Sequence, residues 1–200
     1  MDYTTLALVK AAMDSTETFQ DSMLSYYITA ASRMIDNLCT SQPDVQDYFK
    51  LETITDEVLT NAVVDYAGIL TVFPHKPRIT SITSLAYRFS MRDSWQNADL
   101  NWAMAVGEMV RWEGSLPSGT SPLVKISYSG GLAATVDALP KSFTDLATML
   151  VVRFFKEART GYGDSIGVAE LGTLKYTEAF PVRLIESLQV GEWARMAPWI

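Results

Sequence analysis

The chain predicts an α+β fold: a small helical bundle, built from N-terminal and C-terminal helices, with a β-rich insertion between them. Three observations predict it. Apolar residues recur at three- and four-residue steps from Leu24 to Leu38, the mark of a helix with one buried face. Over residues 45–130 that period disappears, and β-branched and aromatic residues punctuated by proline and glycine take over. Residues 124–155 then lead back to helix through an alternating strand, a glycine pair and a proline.

Taken in order, Leu6, Val9, Ala12 and Met13 fit a short amphipathic helix ending near Asp14. Ser15-Thr16-Glu17-Thr18 is a connection, and Asp21 is placed to cap the next helix, since its carboxylate can accept from free N–H groups. The stripe of that helix is Leu24, Tyr27, Ile28, Ala31, Met34, Ile35 and Leu38, and Ser41-Gln42-Pro43-Asp44 stops it. Val58 to Val64 and Gly68 to Phe73 read as paired strands. Phe73-Pro74-His75-Lys76-Pro77 is a turn, because proline fixes its own φ and restrains the residue before it. Ile79, Ile82, Leu85, Tyr87 and Phe89 make a strand whose alternation is imperfect between Ile79 and Ile82. Ala103 to Trp112 is a hairpin turning at Gly107-Glu108, and Pro117 to Pro122 a loop.

Val124, Ile126 and Tyr128 share one face of a strand that ends at Ser129-Gly130-Gly131. Pro140 opens a helix whose buried side is Phe143, Leu146, Ala147, Leu150, Val151, Phe154 and Phe155. It ends with Arg159 before Gly161, a cation and a glycine at the end that favours both. Gly161 to Gly172, with four glycines and little periodicity, reads as a mobile connector or a segment that orders on a partner. A last helix with Leu184, Ile185 and Leu188 starts near Pro181. The helical core is thus 4–40, 141–160 and 181–195, and the insertion about 45–130.

Two hundred residues, 48% hydrophobic and 20% charged, can bury a full core. Sixteen basic against 23 acidic residues give a net charge of −7, which argues against tight binding to a nucleic-acid backbone. The start of the chain lacks the basic and apolar runs of a signal peptide, and the most apolar helix is too short to span a bilayer. A soluble protein made in a cytoplasm is expected, with no membrane partner.

Candidate chemistry is sparse. Cys39 falls on the apolar face of its helix and reads as a buried, inert thiol. With one histidine and one cysteine, a zinc site made of His and Cys ligands is excluded. His75, between two prolines in a turn, reads as a solvated turn residue, and no phosphate-binding glycine loop precedes a helix. Asp44, Asp47, Glu52, Asp56 and Glu57 form a solvated acidic edge. A small hydrolase with an Asp/Glu pair is the alternative from a different class. No cofactor and no metal are expected. The terminal Trp193, Met196, Trp199 and Ile200 either tuck onto their own core or dock into a neighbouring protein.

These pieces resemble, in order, the head–tail connector proteins of tailed bacteriophages, also called adaptor or head-completion proteins. Leu8-Val9-Lys10 with Met13, followed by Asp21, Leu24, Tyr27-Ile28, Ala31-Ser32 and Ile35, looks like the family's opening helices. Phe73-Pro74 through Pro77-Arg78-Ile79-Thr80-Ser81-Ile82 is similar to its proline-then-strand segment. Val124-Lys125-Ile126-Ser127-Tyr128-Ser129-Gly130-Gly131, with Leu139-Pro140 and the Phe143 helix, is the strongest match. Ser90 to Asn101 and Met196 to Ile200 match no family motif.

The resemblance implies a single connector domain, residues 1–200, and a non-enzymatic structural protein of the virion neck at the capsid portal vertex, assembled in the host cytoplasm. It implies a ring, usually of twelve subunits, seated beneath the portal protein. The ring extends the DNA channel and offers a platform to a downstream neck, stopper or tail protein. DNA is a non-specific passenger, and a net-negative wall suits a duplex that must slide. On this expectation Trp193, Met196, Trp199 and Ile200 dock the portal, and Tyr162, Asp164 and Ile166 contact a neighbour or the next ring. Another neck or tail-completion protein is the alternative within the class.

Overall fold

In the computed structural model the structure describes residues 1–40 and 46–159, together with the backbone of two strands at 165–168 and 172–175. The described chain is mixed α+β, and it divides into a helical unit (residues 1–47 with 135–159) and a β-rich unit, Tyr48–Ala134.

The helical unit contains α1 (Leu6–Ala12), α2 (Asp21–Cys39) and α3 (Lys141–Arg159). Thr5 caps α1, its side chain accepting from the Leu8 N–H. Asp21 is not the cap expected of it: α2 starts at Asp21 behind Gln20, and the Asp21 carboxylate instead takes Lys10 Nζ at 2.9 Å. A first-turn carboxylate still complements the helix dipole from that position. The buried residues of α2 are Leu24, Ile28, Ala31, Ser32, Ile35, Asp36 and Cys39. Those of α3 are Phe143, Thr144, Ala147, Thr148, Leu150, Val151 and Phe155. Both sets follow the three-four spacing that puts residues on one helix face, and α2 and α3 pack together with α1 against both. Each large apolar side chain so buried contributes roughly 1.5–3 kcal/mol.

The irregular segment before α1 is tied down by side chains. Tyr3 sets its ring edge-on to Phe143, its N–H donates to Ser32 Oγ at 2.9 Å, and its hydroxyl donates to Asp36. Thr4 Oγ1 and Thr148 Oγ1 lie 2.6 Å apart. Such bonds are needed here because a buried non-repetitive backbone has no ladder to satisfy it.

The β-rich unit holds two four-stranded antiparallel sheets. The first runs β1 (Glu52–Leu59), β8 (Leu123–Gly130), β4 (Ile79–Arg88), β5 (Gln96–Asn97). The second runs β2 (Val63–Val64), β3 (Leu70–Val72), β7 (Met109–Trp112), β6 (Ala103–Val106). One core cluster draws on both, with Leu59, Leu85, Val124, Ile126 and Tyr128 from the first and Val64, Leu70, Val72, Val110 and Trp112 from the second. Val124, Ile126 and Tyr128 are all fully buried, as the alternation of β8 requires.

The imperfect alternation of β4 has a structural cause. Its pairing with β8 shifts register between Ile79 and Ser81 and again between Ile82 and Ser84, so bulges absorb the residues that break the period. A third shift, between Ile54 and Glu57 of β1, falls where Asp56 takes a φ of +54°. The strand expected over 58–64 is interrupted: β1 ends at Leu59, and Asn61 turns the chain by donating to the Phe73 carbonyl. Most of β1 lies before that span, and its Glu52, Asp56 and Glu57 are poor strand formers in sequence. They are tolerated because β1 is an edge strand, where charge also discourages unwanted pairing.

Glycine matters most at two points. Gly107 (φ +62°) opens the two-residue turn between β6 and β7. Gly131 (φ +120°) follows β8, and a Cβ there would lie 2.6 Å from Leu51 Cα and overlap the Lys50 carbonyl. Its N–H donates to the Pro77 carbonyl at 2.6 Å. Beyond α3, where no regular element was expected, β9 (Ser165–Val168) and β10 (Gly172–Lys175) pair as an antiparallel ladder. Glycines 167 and 172 pair at that ladder with Thr173 and Val168, showing that glycine count alone does not exclude a strand. The last helix expected from Pro181 lies outside the described residues.

Candidate functional site

Among the described residues, two polar clusters and two exposed apolar faces offer material for a function. In the helical unit, Asp36 is fully buried on α2. It accepts from the Tyr3 hydroxyl, from Arg33 Nη1 at 2.9 Å and from the Asp47 N–H at 3.0 Å. Arg33 Nη1 also reaches Asp47 Oδ1 at 2.7 Å, and the N-terminal ammonium bonds the same carboxylate. Burial pushes the Asp47 carboxyl up, but the ammonium and the guanidinium outweigh it and hold the carboxyl down at about 2.

In the β-rich unit, Glu57 takes His75 Nδ1 at 2.5 Å and the His75 N–H at 3.4 Å. The Tyr128 hydroxyl accepts the Lys76 N–H at 3.0 Å, and Lys76 Nζ reaches Glu52 Oε1 at 2.6 Å. Burial raises the Glu57 carboxyl, and the bonds from His75 more than reverse it, leaving the carboxyl below its ordinary range. Burial pushes the Tyr128 hydroxyl upward, helped by the Glu57 charge. His75 is therefore not the solvated turn residue expected from its flanking prolines. It is half-buried and hydrogen-bonded to Glu57, because the turn folds back onto the edge of the first sheet.

The acidic edge expected from sequence is likewise divided. Asp47 belongs to the helical unit, Glu52 pairs with Lys76 and Glu57 is hydrogen-bonded to His75; of these carboxylates only Asp56 stands mostly exposed, 3.8 Å from Lys125. Asp44 lies outside the described residues. Asp47 and Glu57 are both held below the ordinary carboxyl range. Cys39 is buried as expected. No group of three His, Cys, Asp or Glu side chains able to hold a metal occurs among the described residues. Among them, too, no helix is long and apolar enough to cross a membrane.

The first apolar face lies on the outward side of the second sheet. Directly paired residues share a face. Val63 pairs with Thr71, Thr71 with Arg111, Arg111 with Met104, and Val106 with Met109, so these make one continuous surface. Met104 is 61% exposed and Trp102, just before β6, is 60% exposed; Val63 and Val106 are also open to solvent. A hollow of about 190 Å³ lies between Trp102, Met104, Val106 and Arg111. The second face is helical. Phe19, in the turn entering α2, and Met23 and Tyr26 recur at four- and three-residue steps, and Phe19 and Tyr26 are 74% and 70% exposed.

Sequence reasoning found the hairpin of β6 and β7 but not its apolar outer face. The signal was present: bulky Trp102, Met104 and Val106 alternate with Ala103 and Ala105. Alternation says that the two sets part; which set faces inward is set by the neighbour. Ala103 pairs with Trp112, whose bulk already fills the core at that point, so the small residues turn in and the large ones out.

Of the site residues expected from sequence, Tyr162, Asp164, Trp193, Met196, Trp199 and Ile200 lie outside the described residues. Ile166 lies in β9, opposite Leu174.

No protein-family model and no curated protein sequence matches this chain. Solved structures do. The chain is similar to a component of the neck of an empty gene transfer agent particle computed with six-fold symmetry. The identity is 16% and the TM-score 0.52, over 98% of this chain and 92% of the other. A component of the virion of a native gene transfer agent particle matches at 14% identity and a TM-score of 0.49, with the same coverage. The first match places the α+β fold, over almost its full length, among those used in the neck of such a particle.

Proposed function

We propose that this protein is a structural virion protein: a head–tail connector that forms a ring in the neck, beneath the portal protein. There it extends the DNA channel and presents a platform to the next neck, stopper or tail protein. The fold likeness to a neck component, end to end on both chains, is the observation that carries this reading. The six-fold symmetry of that neck supports a cyclic assembly, usually of twelve subunits in the family the sequence resembles. The two exposed apolar faces support it as well, since a subunit that works by assembly must keep contact surface uncovered.

In this reading the helical unit and the β-rich unit act as one connector subunit, and no reaction is catalysed. Trp193, Met196, Trp199 and Ile200 dock the portal, and Tyr162, Asp164 and Ile166 contact a neighbour or the next ring. The net charge of −7 per subunit lets DNA pass without sticking.

Heads assembled without this protein are the test. They should carry portals but accept no tails, and purified protein should restore attachment. Trp193→Ala with Trp199→Ala should keep the wild-type melting temperature and abolish binding to portal-containing heads. Normal binding by that variant overturns the docking assignment, and complete particles formed without the protein overturn the connector reading itself.

A further inference from the structure

We infer that Ser127 and Ser129 of β8, with Thr80 and Thr83 of β4, form a hydroxyl lock on the three bulges of the first sheet, and that this lock positions Glu57 against His75. The lock lies wholly within the β-rich unit and stands whether or not the connector reading does.

On one flank of β8, the strand β4 opens on a repeated triplet, Ile79-Thr80-Ser81 and Ile82-Thr83-Ser84. A regular strand turns alternate residues inward, so Ile79, Ile82 and Leu85, three apart, could not all share its inner face. Leu85 nevertheless belongs to the core cluster, and Ile79 and Ile82 pack against it. The bulges make this possible. Ile79 pairs with Gly130 and Ser81 with Ser129; Ile82 pairs with Tyr128 and Ser84 with Ser127. The threonine of each triplet is therefore the extra residue, with none opposite it on β8. Both threonines make the same bond at that point. Thr80 Oγ1 donates to the Ser129 carbonyl at 3.1 Å, and Thr83 Oγ1 to the Ser127 carbonyl at 3.0 Å.

On the other flank, β8 serves β1 with its side chains. The buried Ser127 accepts the Asp56 N–H on Oγ at 3.0 Å, at the residue whose φ is +54°. Ser129 Oγ lies 2.9 Å from Thr53 Oγ1, the residue opposite it. The bulge at Asp56 reverses the alternation of β1. Ile54 pairs with Tyr128, then Glu57 with Ile126 and Leu59 with Val124, so all three share the inner face. Without the extra residue, an inward Ile54 would send Glu57 and Leu59 outward. With it, Leu59 joins the core and Glu57 reaches His75 Nδ1 at 2.5 Å. Ser127 holds one bulge by its carbonyl and another by its hydroxyl, so the two flanks are coupled through one residue.

Hydrogen exchange and carboxyl NMR titration of the full-length protein test the lock. Ser127→Ala keeps the carbonyl and removes only the hydroxyl. The Asp56 amide should then exchange about tenfold faster. The Glu57 carboxyl, which His75 holds below its ordinary range, should titrate closer to that range. Thr83→Val preserves shape without the hydroxyl and should speed exchange of the Ile82 to Leu85 amides about tenfold, while Thr83→Ser should exchange like wild type. Val110→Ala weakens the fully buried core from the second sheet, away from the lock, and should leave the Glu57 titration where it is. An unmoved Glu57 titration in Ser127→Ala overturns the lock. So does an equal shift in Val110→Ala, or a Thr83→Ser protein that exchanges as fast as Thr83→Val.

Discussion

The helical unit buries five polar side chains among its helices, whereas the core cluster of the β-rich unit is apolar. Asp36, Ser32, Thr4, Thr144 and Thr148 are all buried among the helices. The β-rich core is Leu, Val, Ile, Ala and aromatic throughout, with Glu57, His75 and Lys76 gathered where the turn meets the sheet edge. The difference follows from backbone satisfaction. Strands satisfy their N–H and C=O groups in ladders, so side chains in that core need only fill space. The segment before α1 is irregular, and side-chain partners must satisfy it instead. The helical unit therefore gains a defined geometry for its first residues, and it becomes sensitive to loss of a single partner.

The largest effect should come from Asp36→Ala. It removes one partner each from the Tyr3 hydroxyl, the Asp47 N–H and Arg33, for an expected loss of about 3–5 kcal/mol. Chemical denaturation measures the loss, and hydrogen exchange should place it in α2 and α3 rather than in β8. Equal loss of protection in β8 would break the distinction between the units.

Ile126→Ala and Leu150→Ala probe the two cores on equal terms, each side chain being fully buried. Each should cost about 2–5 kcal/mol, with exchange protection lost first in the unit that carries the change.

Gly131→Ala should cost about 2 kcal/mol or more, because it combines a disfavoured φ with overlap onto the Lys50 backbone. Gly107→Ala meets nothing within 4 Å and should cost only about 1 kcal/mol for its φ. Melting temperatures of the pair separate conformational strain from steric overlap.

Acid sharpens the comparison further. Asp47 is held at about 2 in the folded protein against an ordinary 3.8, so its stabilising contribution is complete above pH 3.8. That contribution is lost as pH falls from about 4 to about 2, since the unfolded chain then binds the proton more readily. Asp47→Asn should flatten the acid limb of the stability–pH curve over that window and leave Ile126→Ala and wild type with parallel limbs. The smallest effect belongs to Glu157→Gln, which removes the Arg153–Glu157 pair on α3 (2.6 Å) and should cost about 0.3–0.5 kcal/mol.

Helices α2 and α3 were legible because each writes its buried face into the order of its residues, and a seven-residue stripe has few other readings. The β8 strand, the β6–β7 hairpin and its turn at Gly107 were legible for the same reason: alternation and turn chemistry are local. β1 was misplaced because its acidic residues argue against a strand, and only its position at the sheet edge makes them acceptable. β9 and β10 were missed because glycine weakens a strand without forbidding it.

The site divides along the same line. Cys39 on an apolar stripe was legible as buried. His75 was misread, since a turn between prolines says nothing about Glu57 eighteen residues earlier, and the apolar sheet face was not found at all. Composition, periodicity and turn residues set the fold class, the core stripes and the absence of a disulfide framework, because each depends on residues near one another in the chain. The bulges of β4, the bond of His75 to Glu57, the buried network at Asp36 and the outward turn of Trp102, Met104 and Val106 belong to the tertiary structure. Each depends on which distant residue arrives opposite, and strand pairing and helix packing settle that only when the chain has folded.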